Sequence, residues 1–254
     1  MSAQARSYKT PGIVMRARNL GEADKIVTFF TLENGKIDAV AKGVRRPKSQ
    51  LAGRLEFVTE AALTLHRGRN LDVITSAEIE CEHWHAIVEP GAFATAHLIV
   101  ELIDSFSERD LPMPDVYELL RGVLRALATS PEPATLVPRF QLRLLGTLGF
   151  APESDACVRC SRPFDGSAAW ADIKAGGLAC ESCRPHHADA LALGPLDVAN
   201  FRGLAAWGQN AVRPATRATA PAARAVDAFV TWHLGKRTKA GRMLDELAEG
   251  GVRA

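Results

Sequence analysis

Apolar and polar side chains alternate along much of the first 80 residues, a pattern typical of β-strands with one buried face. Residues 25–32 are rich in β-branched and aromatic side chains, and residues 36–44 alternate after the turn pair Asn34-Gly35, which favours a tight hairpin. Similar runs occur at residues 13–15, 55–65 and 71–79. Five short strands separated by polar turns predict a small closed β-barrel.

Two aromatic residues, Phe29 and Phe30, are neighbours on the second predicted strand. Adjacent side chains on a strand point to opposite faces. One ring is therefore expected in the barrel core. The other is expected to pack against the helical part of the chain, with stacking on a nucleic-acid base as the alternative.

The apolar period changes from two residues to about 3.6 after residue 90, which indicates helices. Residues 92–107 carry this spacing most clearly, at Leu98, Ile99, Leu102, Ile103 and Phe106. Further helices are predicted at residues 115–129, 134–148, 195–207 and 221–234, with Asp115 as the expected N-cap of the second helix. The pattern as a whole predicts an α+β multidomain chain, in which a helical bundle follows the barrel.

Cysteine spacing is the most specific chemical signal in the chain. Four of the five cysteines form two C-x-x-C pairs that are nineteen residues apart, at Cys157, Cys160, Cys180 and Cys183. Two such pairs complete a tetrahedral thiolate shell, for which zinc is the default metal, and a closed shell indicates a structural role. Paired disulfides and a redox C-x-x-C are the alternatives. His186 and His187 are spare ligands should one thiolate fail.

Charge is unevenly distributed, although the formal net charge of the 254 residues is only +2. Residues 1–54 contain eleven Lys and Arg against four acids, whereas residues 81–156 contain five against eleven. The basic first segment is a candidate surface for an anionic partner; a solvated face is the alternative. The candidate phosphate contacts are Lys36, Lys42, Arg45, Arg46, Lys48 and Arg54.

Several enzyme classes lack their usual signature. The chain has no G-x-x-x-x-G-K-[ST], G-x-G-x-x-G, G-x-S-x-G or H-E-x-x-H motif, so no nucleotide-dependent, hydrolase or zincin chemistry is indicated. A metal-dependent nuclease is a further interpretation, but its carboxylate or histidine ligands cannot be assembled from the sequence. No apolar run reaches the length of a membrane span, and the N-terminal residues do not resemble a secretory signal, so a cytoplasmic location is expected.

Three stretches of the chain carry motifs of one known protein family. The most specific reads GEADKIVT, ENGK and AVAKGVRR between residues 21 and 46. The second reads FQLRLL, LGFAP and then Cys157, between residues 140 and 157. The third, HLG and GR between residues 233 and 242, is weaker because Ala240-Gly241 replaces the Lys-Ser pair of the family. The three stretches resemble the RecO family of bacterial recombination mediators, and the resemblance covers nearly the whole chain.

This resemblance implies an N-terminal OB-fold, a helical bundle and a four-cysteine zinc module inserted in it, with no enzymatic turnover. The implied bounds are 1–82 for the OB-fold, 83–156 and 184–254 for the helical domain, and 157–183 for the zinc module. The implied activities are binding of single- and double-stranded DNA, annealing of complementary strands, and cooperation with RecR in loading RecA onto DNA coated with single-strand binding protein. The implied location is the cytoplasm, at the nucleoid.

The helical domain is also expected to offer grooves for partner tails, since its helices are amphipathic. The resemblance adds the acidic tail of single-strand binding protein as a candidate ligand, with Arg121, Arg125, Arg139 and Arg143 as contacts for its carboxylates. The alternative to the hypothesis of a recombination mediator is a non-enzymatic, zinc-containing protein–protein scaffold whose basic barrel is incidental.

Overall fold

Five strands close into a barrel in the computed structural model of the chain, which describes residues 6–205 and 217–250. The strands are β1 (Ser7–Leu20), β2 (Asp24–Thr31), β3 (Gly35–Ala41), β4 (Glu60–His66) and β5 (Asp72–Cys81). They follow the order β1-β2-β3-β5-β4, and β1 pairs with β4 to close the sheet. This is the strand order of an OB-fold, so the predicted barrel is confirmed.

The two neighbouring phenylalanines lie on opposite faces of β2, and both are 0% exposed. Phe29 belongs to the barrel core together with Val14, Val27 and Leu63. Phe30 faces outwards and stacks on Tyr117, with ring centroids 6.4 Å apart. Packing of the outward ring against a helix, as expected from the sequence, is confirmed, and neither ring is available to a base.

Two helices lie over the outer surface of the barrel. They are α1 (Pro90–Phe106) and α2 (Pro114–Thr129). The predicted N-cap of α2 is wrong: Met113 occupies that position without a side-chain cap, and Asp115 lies in the first turn. A carboxylate there still interacts favourably with the positive end of the helix dipole.

The hairpin between β2 and β3 brings the barrel close to the segment that joins these helices. Gly35 has a φ of +64°, which L side chains rarely adopt. A Cβ at this position would also lie 2.0 Å from the carbonyl oxygen of Leu111. On the same edge, the backbone N–H of Asp110 donates to the carbonyl of Lys36. A side chain at residue 35 would therefore push the connecting segment off the sheet.

The rest of the chain combines helices with a small sheet. The helices are α3 (Leu136–Thr147), α4 (Pro195–Ala205), α5 (Ala220–Leu234) and α6 (Lys239–Gly250). The strands are β6 (Ala169–Asp172), β7 (Gly177–Cys180) and β8 (Leu191–Leu193), in the order β7-β6-β8. The last two residues of the predicted helix 195–207 lie outside the described residues, and α6 was not among the predicted helices.

The chain divides into two compact units, Met1–Ser130 and Pro131–Ala254. The first unit contains α1 and α2 together with the barrel. The domain bounds expected from the sequence, which separate these helices from the barrel at residue 82, stay a prediction. Within the described ranges, no helix combines the length and hydropathy needed to cross a bilayer.

Candidate nucleic-acid interface and metal centre

A basic loop, residues 42–48, follows β3 at one end of the barrel. Its four cationic side chains are all exposed, at Lys42, Arg45, Arg46 and Lys48. None of them forms an ion pair with another residue in the described part of the chain. Four exposed charges without carboxylate partners make this loop the most cationic candidate surface of the barrel.

Three hydrogen bonds hold the basic loop against the turn between β1 and β2. Asp24 Oδ1 accepts from the backbone N–H of Gly43 at 2.7 Å. The backbone N–H of Arg45 donates to the carbonyl of Ala23 at 3.0 Å, and Arg45 Nη1 donates to the carbonyl of Gly21 at 3.1 Å. These bonds join the two ends of the most family-like stretch of the sequence, residues 21–46, a relationship that the linear pattern alone did not reveal.

Lys36 does not belong to this exposed surface, contrary to the expectation from the sequence. The residue is 9% exposed, because α1 covers this part of β3. Its Nζ lies 3.0 Å from Asp104 Oδ1 and donates to the carbonyl of Asp104 at 2.7 Å. Arg16 pairs with the same carboxylate. Lys36 therefore attaches α1 to the barrel and has no charge to offer a phosphate.

Arg54, the last of the candidate phosphate contacts, is exposed but lies outside the basic loop. Its Nη1 donates to the carbonyl of Ala77 on β5 at 2.9 Å. This bond ties the side chain to β5. Arg54 is therefore a separate cation, whose part in any shared surface stays a prediction.

The four arginines considered for an acidic tail fall into two pairs. Arg121 Nε lies 2.6 Å from Glu60 Oε1, and Arg125 Nη2 lies 3.6 Å from Glu60 Oε2. Since Glu60 is 1% exposed, this pair of arginines is engaged within the first unit. Arg139 and Arg143 lie one turn apart on α3. Burial lowers the pKa of Arg143, and the nearby charge of Arg139 lowers it further. The role of this pair in binding an acidic tail stays a prediction.

The four paired cysteines meet in the second unit. All four Sγ atoms lie within 4.8 Å of one another, and those of Cys160 and Cys180 are 3.8 Å apart. Four sulfurs about 2.3 Å from one ion in tetrahedral geometry lie about 3.8 Å from each other. The cluster of Cys157, Cys160, Cys180 and Cys183 therefore fits a single tetrahedral metal ion.

The electrostatics of the cluster also favour a cation. Burial opposes ionisation of Cys157, but backbone N–H groups of Cys180, Arg159 and Cys160 donate to its sulfur and lower its pKa to about 6. Hydrogen bonding with Cys160 and Cys180 raises the pKa of Cys183 to about 12. The surroundings thus stabilise the thiolate of Cys157 and disfavour ionisation of Cys183. A divalent ion would allow all four cysteines to ionise together.

A buried carboxylate connects the first C-x-x-C pair to the hairpin that carries the second. Asp172, at the end of β6, is 0% exposed. It accepts from Arg159 Nη2 at 2.6 Å, and its Oδ1 lies 3.1 Å from His187 Nε2. Arg159 stands between Cys157 and Cys160, so this ion pair holds their loop in place. His187 serves as a partner of Asp172 rather than as a spare metal ligand.

Comparison with protein-family models decides the classification. The model described as Recombination protein O N terminal matches residues 1–81, and Recombination protein O C terminal matches residues 89–242. The chain belongs to the RecO family. The first match ends with β5, and the second contains the four-cysteine cluster. RecO proteins are non-catalytic mediators of recombination and DNA repair, which agrees with the absence of enzyme motifs in this sequence.

Proposed function

We propose that this RecO protein binds single- and double-stranded DNA, anneals complementary strands, and acts with RecR to assist loading of RecA onto DNA coated with single-strand binding protein. It would do so in the cytoplasm, at the nucleoid. Family membership supports the mediator role. The exposed, unpaired cations of the basic loop are the single structural observation that supports direct DNA binding.

Charge accounts for most of the binding under this proposal. Lys and Arg side chains that neutralise phosphates release condensed counterions, so affinity falls steeply with salt and depends little on base sequence. Phe29 and Phe30 are buried and give the barrel no stacking surface there. Annealing requires two strands whose mutual repulsion is screened, which a cationic surface provides without any catalytic group.

The metal of the cysteine cluster is proposed to be zinc, in a structural role. Thiolate ligands in tetrahedral geometry favour zinc, and four protein ligands leave no position for a water or substrate. When bound, the ion supplies cross-linking of the two C-x-x-C pairs. The chain itself supplies their positions, through the β6–β7 hairpin and the ion pair of Arg159 with Asp172.

Arg139 and Arg143 are proposed to bind the acidic tail of single-strand binding protein. Two neighbouring, partly buried cations on α3 repel each other, so carboxylates placed between them would be stabilised. Titration of the full chain with a tail peptide at low salt tests this. Replacing both arginines by Ala should abolish binding, whereas Arg224→Ala, an exposed change on α5, should not. Equal binding by all three proteins would contradict the assignment.

A salt series with labelled single-stranded DNA tests the main proposal. We expect binding whose logarithm falls linearly with the logarithm of salt concentration, for every oligonucleotide sequence alike. Mixing complementary strands with the protein should also accelerate duplex formation. If the protein does not bind DNA at low salt and does not anneal strands, it is instead a protein–protein scaffold with an incidental basic barrel.

A further inference from the structure

A cleft opens beside the cysteine cluster, within the second unit. Its volume is about 610 Å³, and Trp170, Arg184, His186 and His187 are among the residues that line it. Clefts of about 300–1,000 Å³ are the usual size for small-molecule binding. The residues that hold the metal do not line this cleft, so a structural metal leaves it without a role.

A stacked pair forms one wall of the cleft. The guanidinium carbon of Arg184 lies 4.1 Å from the centroid of the Trp170 ring. Trp170 Nε1 donates to Glu181 Oε2 at 2.7 Å, which fixes the indole in its plane. Arg184 is exposed. A guanidinium that lies over a fixed indole presents a planar cation to the cleft.

The acids around the cleft are already engaged. Glu181 is bonded to the indole, and Asp172 is buried between Arg159 and His187. Asp189 lies 3.0 Å from Lys174. Glu181 keeps its negative charge, since the indole N–H is neutral, but it does not line the cleft. The charged side chain among the lining residues is Arg184, with the exposed imidazole of His186 beside it. This lining suits an anion that also has a flat ring.

We propose that the cleft binds one nucleotide of single-stranded nucleic acid, whose base stacks on Arg184 and whose phosphate lies near Arg184 and His186. Bases of unpaired strands commonly stack on aromatic rings and on arginine planes. The proposal rests on the proposed function, since it adds a second contact for the same ligand. It differs in chemistry from the basic loop, because here the base contributes as well as the phosphate.

Binding of a labelled oligo-dT strand to the full chain tests the proposal. Arg184→Ala should weaken affinity about fivefold or more, since one stacked base contributes about 1–3 kcal/mol. Arg184→Lys keeps the charge but loses the plane, and should recover only part of the loss. Lys174→Ala removes a paired cation from the same region and should leave affinity within about twofold.

An abasic strand of equal length separates stacking from charge. On that strand the difference between wild type and Arg184→Ala should shrink; an unchanged difference would overturn the stacking assignment. Metal content and thermal unfolding are measured for every variant. If the Arg184→Ala variant loses its metal, the His186→Ala variant is used instead. The His186→Ala variant should bind DNA more weakly than the wild type while it retains the metal.

The two proposals fail in distinguishable ways. Suppose that Arg184→Ala and His186→Ala both bind DNA as tightly as the wild type, while the Arg45→Ala/Arg46→Ala variant binds more weakly. That result would overturn the proposal for the cleft and would support the proposal for the basic loop. A wild-type protein that binds no strand at low salt would overturn both.

Discussion

The carboxylate of Asp24 lies 2.7 Å from the backbone nitrogen of Gly43 and fastens the turn after β1 to the start of the basic loop. Gly43 has a φ of +65°, so the chain turns there at a position suited to glycine. An acidic side chain thus supports the loop whose positive charge it partly opposes. The contribution of Asp24 to DNA binding is therefore a balance: its hydrogen bond supports the loop, which favours binding, and its negative charge disfavours binding.

That difference predicts unequal effects for two substitutions of Asp24. Asp24→Asn keeps an oxygen acceptor for Gly43 and removes a negative charge, so DNA affinity should stay equal or rise. Asp24→Ala removes the acceptor and should cost about 1 kcal/mol of stability, with weaker binding than Asp24→Asn. Oligonucleotide titration of both variants at one salt concentration measures this. Equal affinities would mean that the loop needs no support from Asp24.

Replacing Arg45 and Arg46 by Ala should weaken binding for every DNA sequence alike. The slope of log affinity against log salt should fall by about one to two, at about 0.7 for each phosphate on a single strand that is no longer neutralised. Thermal stability should change little, since both side chains are exposed and the only described bond lost is that from Arg45 to the carbonyl of Gly21. The matched control is Lys174→Ala/Arg224→Ala, which removes the same charge from the second unit. An unaltered slope would move the DNA surface to another cation, such as Arg69.

Lys36→Met should lower the stability of the protein and leave its DNA binding unchanged, the reverse of the result expected for the Arg45 and Arg46 variant. The variant loses the bonds of Nζ to Asp104 and should lower the free energy of unfolding by about 2 kcal/mol. Arg16 still neutralises Asp104, which limits the loss. The salt slope of DNA binding should stay at the wild-type value. A reduced slope in a stably folded variant would return Lys36 to the phosphate contacts.

Asp38 should make the first unit sensitive to acid. Burial raises its pKa, but hydrogen bonds from Thr28 and Arg109 outweigh this and hold the pKa below the ordinary 3.8. The charged carboxylate therefore stabilises the fold above pH 4, and this contribution disappears as pH falls through the lowered pKa. Asp38→Asn should be about 1.5 kcal/mol less stable at pH 7. Unfolding curves at several pH values should show the deficit narrowing below pH 4; a constant deficit would contradict the mechanism.

Metal analysis should find one zinc ion per chain. Cys160→Ser should lower this content and destabilise the second unit, because a closed four-ligand site contributes directly to folding. Cys81→Ser, which changes the one cysteine outside the cluster, should keep its zinc. Freshly purified protein that contains no zinc, and in which all the cluster thiols react with a thiol reagent, would exclude the metal.

Local patterns predicted the barrel strands and the cysteine cluster well, because the determinants of both are close in sequence. Alternation places Phe29 and Phe30 on opposite faces whatever surrounds them, and a C-x-x-C pair directs two sulfurs to one point. Lys36 shows where such reasoning stops. The alternation of side chains along β3 assigns Lys36 to the outer face of the strand. Only the packed structure reveals that α1 covers that face.

The C-terminal helix is a different case. Ala240, Met243, Leu244 and Leu247 stand at the i, i+3, i+4, i+7 spacing of an amphipathic helix, so the pattern does indicate α6, although this helix was not among those predicted above. The cleft at Trp170 and Arg184 was hidden from the sequence, since its two stacked residues are far apart in the chain. Interactions across such separations leave no periodic trace.

The helices that lie over the barrel decide where the chain can be divided. A fragment ending at residue 82 would bare the ring of Phe30 and leave the charges of Lys36 and Glu60 without the side chains of α1 and α2. A fragment ending at Ser130 retains all of these contacts. Aggregation of the shorter piece would then report an uncovered sheet face rather than an inability of the five strands to fold, and work on isolated parts of this protein should begin from the longer one.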